Sequence, residues 1–198
     1  DNIVYAKGFG VQSLENEVPG DLNSIFCVQS VSKCLVATAV MQLAERGEIK
    51  LDQSIVQYLS YFQMNDEGYQ EITPRQILSH TSGMPDMEDI DYTELMWHPD
   101  KDNGAAERFI RGLKNNNLIT APGEHFSYSN IAFNVLGDLI AKVSGQSFED
   151  YMWENILSPT GMTSSTFLLS DVPNDKLVWP HLRSPQMKVN PIYPYHRA

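Results

Sequence analysis

The spacing of apolar residues along the chain predicts two long helices. In residues 31–46 the apolar positions recur every three or four residues, and in residues 131–144 they recur every four. Gly47 and Gly145 follow these two segments, at the position where many helices end. The sequence therefore predicts two helices whose last turns are marked by glycine.

Shorter elements are predicted around these helices. Residues 2–13 are rich in Val, Tyr and Phe and alternate loosely, which is typical of a strand or hairpin arm. Residues 51–59 predict a short helical segment. Thr73 and Pro74 predict the N-cap and first residue of another helix, and Ser147 predicts the start of a further one.

Two remaining stretches are less regular. Residues 87–117 are polar and acidic, and they predict an insertion of helix and loops at the rim of the molecule. Residues 161–167 predict the beginning of a strand, and the proline-rich tail that follows has no regular pattern. A length of 198 residues fits one domain or two small ones, no internal repeat is visible, and we expect a single domain over residues 1–198.

The composition is that of a folded globular protein and argues against both a nucleic-acid partner and a membrane-spanning segment. Hydrophobic residues make up 42% of the chain and charged residues 20%. The net charge is -11, and the scattered Lys and Arg residues form no basic stripe for nucleic acid. The apolar runs fall short of the ~20 residues that a membrane-spanning helix requires. We therefore expect neither a nucleic-acid partner nor a transmembrane segment.

The cysteines and histidines give no support for a metal site. Cys27 and Cys34 are the two cysteines, and their positions across a predicted strand-to-helix junction are unfavourable for a disulfide. We expect two buried thiols. The five histidines are far apart in sequence, and no C-x-x-C or H-E-x-x-H motif is present. The sequence predicts neither a metal nor another cofactor.

A serine and a lysine three residues apart open the first long helix. Ser30 and Lys33 are predicted to share one face at its N-terminal end, where an unprotonated lysine can activate a serine hydroxyl. Lowering a lysine pKa from ~10.4 toward 7 requires roughly 4 kcal/mol. We expect burial near Phe26, Val28 and Leu35 to supply most of it. The alternative is a serine cap beside a lysine that extends to solvent.

Three blocks of sequence, in this order, resemble the serine β-lactamase and penicillin-binding-protein superfamily. They are FCVQSVSKCLVATAVMQLAERGEIKLDQSIVQYL, ITPRQILSHTSGMPD and PGEHFSYSNIAFNVLGDLIAKVSGQSFEDYMWENILSPTGM. The branch that they resemble most contains class C β-lactamases, D-alanyl-D-alanine peptidases and related esterases. The resemblance runs from Gly8 to Phe167 and implies an α/β (α+β) fold, with a helical region packed beside an antiparallel sheet.

The resemblance also implies roles for individual residues. Ser30 is the expected acylated nucleophile, and Lys33 is its expected proton acceptor. Tyr128 and Asn130 match the family's Y-x-N motif, in which the tyrosine shares proton transfer and the asparagine binds the amide of the substrate. The backbone N–H of Ser30 is expected to form half of an oxyanion hole. For His80, in HTSG, the resemblance implies a structural turn rather than a catalytic base.

One motif of the family is not found in the sequence. The family carries K-T-G or H-x-G on a strand that lines its active site, and neither pattern occurs here. We therefore expect a central piece of such a protein, truncated at both ends, with an incomplete sheet. A complete small relative that has lost this wall of the site is the alternative.

The expected function is that of a serine hydrolase that works through an acyl-enzyme on Ser30. Its expected substrates contain an amide or ester bond, as in a β-lactam, a D-amino-acid peptide or a small ester. The alternatives are a non-catalytic module that recognises peptidoglycan or a protein partner, and a scaffold fragment that folds only with its missing strands. The resemblance implies a periplasmic, secreted or cell-surface location in a bacterium, and the oligomeric state is not predicted.

Overall fold

Helices dominate the part of the chain that the computed structural model describes, which comprises residues 2–15, 17–87, 104–182 and 188–189. The α-helices are α1 (Ser32–Glu45), α2 (Pro74–Leu78), α3 (Ala105–Gly112), α4 (Asn130–Ser144) and α5 (Phe148–Met152). Short 3-10 turns occupy Gln29–Val31, Ile55–Gln57, Glu67–Glu71, Leu113–Asn115 and Leu169–Asp171, and a π-helical turn occupies Trp153–Leu157. The two strands are β1 (His181–Leu182) and β2 (Lys188–Val189).

The two long helices predicted from the apolar spacing are confirmed as α1 and α4. At the start of α4 the Ser129 hydroxyl accepts a hydrogen bond from the Ala132 N–H at 3.0 Å. At its end Gly145 adopts the left-handed conformation, with φ of 70°, that glycine adopts without steric cost. The predicted Thr73 cap is also confirmed, because Thr73 and Gln76 form a capping box at the start of α2.

The core lies between α1 and α4, which pack directly against each other. Helices α3 and α5 also pack on α4, so this helix has neighbours along its length. Burying one large aliphatic side chain contributes about 1.5–3 kcal/mol, and α1 and α4 together supply many such side chains. The buried hydrophobic residues of α1 and α4 are Val36, Ala39, Val40, Leu43, Ile131, Ala132, Phe133, Val135, Leu136, Leu139 and Ile140. This packing holds the beginnings of the two helices in fixed relative positions.

The predicted antiparallel sheet is not confirmed within the described residues. There, β1 and β2 form one two-residue antiparallel pair, and isolated bridges join Val11 to Pro19 and Ile25 to Leu177. Residues 2–13 were expected to form a strand or hairpin arm; they form no extended strand, but Val11 pairs with Pro19 in a short antiparallel hairpin, in which the Gln12 N–H donates to the Val18 carbonyl. A strand requires a hydrogen-bonding partner, which the alternation of side chains alone does not specify.

The strand predicted to begin within residues 161–167 is also wrong. Gly161 has a φ of 75°, and the Ser165 N–H donates to the Met162 carbonyl in a turn. Both features reverse the chain, so the extended backbone of a strand does not form here.

The insertion predicted over residues 87–117 is described only in part, since residues 88–103 lie outside the described residues. Helix α3 falls within it, and the side chains of Phe109 and Ile110 are buried in the shared core. Its place at the rim of a site stays a prediction. No helix among the described residues is both long enough and apolar enough to span a membrane.

Candidate active site

Ser30 lies in the 3-10 turn before α1, and Lys33 lies in the first turn of α1. The Lys33 Nζ donates a hydrogen bond to the Ser30 Oγ at 3.2 Å, as expected for residues three apart on a helix. The N-cap positions of the two segments are Val28 and Val31, and neither makes a side-chain capping bond. Ser30 is therefore not an N-cap, and its hydroxyl forms hydrogen bonds with other side chains.

The backbone immediately before Ser30 is strained. Gln29 has a φ of 45°, in the left-handed region that residues with a side chain seldom adopt. Such a conformation costs on the order of 1–3 kcal/mol and is found preferentially at functional sites. This left-handed residue lies directly before Ser30, in the turn that leads into α1.

The loop that leads into α4 brings the second pair of predicted residues to the serine. The Tyr128 Oη lies 2.7 Å from the Ser30 Oγ. The Asn130 Oδ1 accepts hydrogen bonds from the Lys33 Nζ at 2.6 Å and from the Tyr128 Oη at 3.3 Å. Because Ser129 caps α4, Asn130 is the first helical residue and not a plain cap. The structure thus brings all four predicted site residues into one hydrogen-bonded cluster.

The apolar surroundings of Lys33 differ from those expected from the sequence. Of the three residues expected to bury the lysine, Phe26 and Val28 are 61% and 53% exposed, whereas Leu35 is partly buried against the core. The Lys33 Nζ lies instead 4.9 Å from the centre of the Tyr128 ring and 5.5 Å from that of Phe133. Aromatic faces attract a cation, so two residues remote in sequence replace the expected neighbours.

Tyr128 has an electrostatic environment suited to proton transfer. Burial acts to raise the pKa of its phenol, but hydrogen bonding to Lys33 and Ser30 and the Lys33 charge outweigh it. The carboxylate of Asp86 acts in the opposite direction from Lys33. The net effect is that the pKa of Tyr128 is lowered, which favours its phenolate as a proton acceptor beside Ser30.

His80 contacts the site through the tyrosine ring. Its imidazole stacks on Tyr128 with ring centres 4.4 Å apart, and its Nδ1 accepts a hydrogen bond from the Ser129 N–H at 3.3 Å. Burial lowers the pKa of His80, and the positive charge of Lys33 lowers it further. The sequence resemblance implied a structural turn here, and the φ of 56° at His80 is that of a turn. The ring packing against Tyr128 was not predicted.

Asp86 is a site residue that sequence reasoning missed. Its Oδ1 accepts the backbone N–H of Asn130 at 2.8 Å, and its Oδ2 accepts from the Asn130 Nδ2 at 3.2 Å. A carboxylate at the start of α4 is also favoured by the helix dipole. The signal in the sequence is weak, because a single acid after Pro85 has many structural uses.

The cysteines near the site differ in part from expectation. Cys27 and Cys34 form no disulfide, as predicted, but both are exposed, whereas buried thiols were expected. The junction between them is the surface turn that carries Ser30, which explains why side chains on both sides of it are accessible.

Comparisons with known proteins identify the family of the chain. The Beta-lactamase family model matches residues 1–196. Protein flp of Staphylococcus aureus (strain MW2) is 30% identical over 162 residues, which cover 81% of this chain and 32% of that protein. The chain therefore spans about a third of the length of this curated relative.

Two solved structures show the same fold. A penicillin binding protein from Bacillus halodurans superposes with a TM-score of 0.79 at 25% identity, over 99% of this chain and 60% of that one. A class C β-lactamase superposes with a TM-score of 0.68 at 25% identity, over 94% of this chain and 48% of that one. These likenesses support a β-lactamase/transpeptidase-like fold, and the match of the family model over nearly the whole sequence shows that the chain belongs to the Beta-lactamase family.

Proposed function

We propose that this chain carries the acylation site of a serine hydrolase that acts on amide or ester bonds. The observation that carries the proposal is the pair of contacts to the Ser30 Oγ, from the Lys33 Nζ at 3.2 Å and the Tyr128 Oη at 2.7 Å. A serine hydroxyl becomes a useful nucleophile when a neighbouring group removes its proton. Two groups able to do so lie within hydrogen-bond distance of this serine.

The proposed reaction begins with attack of the Ser30 Oγ on the carbonyl carbon of the substrate. The hydroxyl proton passes to Lys33, directly or through Tyr128, and then to the leaving amine or alcohol as its bond to the carbonyl carbon breaks. The Asn130 side chain binds the amide of the substrate, and the Ser30 N–H donates to the developing oxyanion. Water then attacks the acyl carbonyl carbon, and as the bond from that carbon to the Ser30 Oγ breaks, the hydroxyl of the water stays on the acyl group and its proton passes to the Ser30 Oγ. These steps require no cofactor.

The proposed substrates are β-lactams, D-amino-acid peptides or small carboxylic esters. Membership of the Beta-lactamase family and the likeness to a penicillin binding protein support this choice. The same relationship supports a periplasmic, secreted or cell-surface location. A chain that spans about a third of a curated relative leaves the choice among substrates to experiment.

A second candidate is a non-catalytic module that recognises peptidoglycan or a protein partner. It is the candidate that does not need the K-T-G or H-x-G wall of the family's site, a motif that is not found in residues 1–198. Such a module binds its ligand without forming a bond to Ser30, so covalent labelling distinguishes the two candidates.

The test is covalent labelling of the chain by a fluorescent penicillin and by a fluorophosphonate. Ser30→Ala is expected to abolish labelling, because it removes the attacking oxygen. Ser32→Ala is the matched control, since Ser32 lies two residues away in the first turn of α1, and it is expected to label like the unsubstituted chain. Failure of both probes to label a folded, unsubstituted chain contradicts the proposed acylation site and supports the binding module.

A further inference from the structure

The side-chain amide of Asn130 lies between a cation and an anion. On one side its Oδ1 accepts a hydrogen bond from the Lys33 Nζ at 2.6 Å. On the other side its Nδ2 donates to the Asp86 Oδ2 at 3.2 Å. The neighbouring Asp86 oxygen accepts the Asn130 backbone N–H at 2.8 Å, so one carboxylate holds both the backbone and the side chain of the same residue.

The chemistry of these neighbours allows one orientation of the amide. A lysine amine in its charged form only donates hydrogen bonds, and an ionised carboxylate only accepts them. Rotating the Asn130 amide by half a turn places its NH₂ against Lys33 and its carbonyl against Asp86. That arrangement replaces two charge-assisted hydrogen bonds with two repulsive contacts. Asp86 therefore selects the orientation in which the Asn130 carbonyl faces the lysine.

We propose that Asp86 is a positioning residue that fixes the Asn130 amide and, through it, the direction of the Lys33 amine. This inference rests on the proposed function. Asp86 contacts both the backbone and the side chain of Asn130 and acts on the reaction through that residue.

The consequence for the base follows from the valence of a neutral amine. Neutral Lys33 carries two N–H bonds and one lone pair, and the Asn130 carbonyl holds one N–H at a fixed place. The lone pair is thereby restricted to directions that include the Ser30 Oγ, 3.2 Å from the nitrogen. Neutral Lys33 can both donate and accept, so without the Asp86 contact on Nδ2 it no longer selects between the two orientations of the amide, and the amine loses this restraint.

The kinetic test is a double-mutant cycle between Asp86 and Asn130, measured as the rate constant for acylation of Ser30 by a fluorophosphonate. Asp86→Asn is expected to slow acylation by up to about 100-fold, because small misplacements of a catalytic group have effects of that size. In the Asn130→Ala background the same substitution is expected to have no further effect. Equal slowing in both backgrounds shows that Asp86 does not act through Asn130 and overturns the proposal.

The matched control is Asp175→Asn, which removes the same charge at an exposed position. It is expected to acylate at the rate of the unsubstituted chain. An equal slowing by Asp175→Asn shows that net charge, and not positioning, sets the rate, and it also overturns the proposal.

A second measurement does not depend on activity or on the folding of a variant. In the nuclear magnetic resonance spectrum of the unsubstituted chain, one Nδ2 proton of Asn130 is expected to be shifted downfield and slow to exchange with water. The proposal is contradicted if both Nδ2 protons have the chemical shifts of a solvent-exposed side-chain amide and exchange rapidly with water. If the chain fails to label but this signature is present, the proposed function is wrong and the positioning of Asn130 by Asp86 stands.

Discussion

Two tyrosines beside helix α4 have opposite surroundings. The Tyr128 hydroxyl lies 2.7 Å from the Ser30 Oγ at the beginning of the helix. Further along, the Tyr61 hydroxyl donates to the Oδ2 of Asp138 at 2.7 Å, and Asp138 is only 6% exposed. Each ring also lies near a lysine Nζ, at 4.9 Å for Lys33 on Tyr128 and 5.6 Å for Lys142 on Tyr61.

The groups that the two hydroxyls contact explain why their chemistry differs. At Tyr61, burial raises the pKa of the phenol, and the hydrogen bond to Asp138 and the charge of that carboxylate raise it further. At Tyr128, burial is outweighed by Lys33 and Ser30, and the pKa is lowered. Tyr61 therefore keeps its proton and anchors a buried carboxyl, whereas Tyr128 is placed to exchange a proton.

The largest expected difference between the two tyrosines is in the acylation rate after the lysine beside each of them is removed. Lys33→Ala is expected to slow acylation of Ser30 by about 10³-fold or more, since it removes the proposed general base. Lys142→Ala is the matched variant at the other tyrosine and is expected to leave the rate unchanged. Both are measured as the rate constant of fluorophosphonate labelling. Equal rates for the two variants show that the surroundings of the tyrosines do not determine their roles.

The next largest difference is expected when the hydroxyl of each tyrosine is removed, because one substitution slows acylation and the other lowers stability. Tyr128→Phe is expected to slow acylation by about 100-fold, because proton transfer through the phenol is lost. Tyr61→Phe is expected to acylate at the unsubstituted rate but to lower the free energy of unfolding by about 1–3 kcal/mol, since the buried Asp138 loses its hydrogen-bond donor.

The two readouts, labelling rate and urea unfolding, are measured on both variants. Tyr128 is 39% exposed, so water replaces its partners and Tyr128→Phe is expected to have little effect on stability. A loss of activity in Tyr61→Phe, or a loss of stability confined to Tyr128→Phe, contradicts the assignment of roles.

The smallest effect is a difference in titration. As the pH rises, Tyr128 is expected to ionise below the usual phenol pKa of about 10, and Tyr61 is expected to ionise above it. The measurement is the ultraviolet absorbance of phenolate, and subtraction of the Tyr128→Phe and Tyr61→Phe curves assigns each transition. The reverse order of ionisation is incompatible with the contacts described for the two hydroxyls.

The sequence predicts local features of this fold better than long-range ones. The apolar spacing of α1 and α4, the Thr73 cap and the Gly145 terminus depend on residues within a few positions of each other. The strand predicted within residues 161–167 is replaced by a local turn, and the sheet implied by the resemblance depends on pairing between distant segments, which local alternation does not identify.

The same distinction holds at the site. The Ser30 and Lys33 contact follows from helical spacing, whereas the grouping of Tyr128 and Asn130 with them was an implication of the family resemblance. The position of Asp86 depends on how the segment before α3 meets α4, and no pattern in the sequence encodes that meeting. The rings of Tyr128 and Phe133 beside Lys33 likewise come from a segment that is distant in sequence.

Acylation of Ser30 is tested most directly by tandem mass spectrometry of the unsubstituted chain after reaction with a fluorophosphonate. Trypsin cleaves after Lys7 and Lys33, so the peptide of residues 8–33 contains Ser30 together with Ser13, Ser24 and Ser32. Fragment ions are expected to place the added mass on Ser30. An adduct on another residue, or none on a folded chain, contradicts the acylation of Ser30.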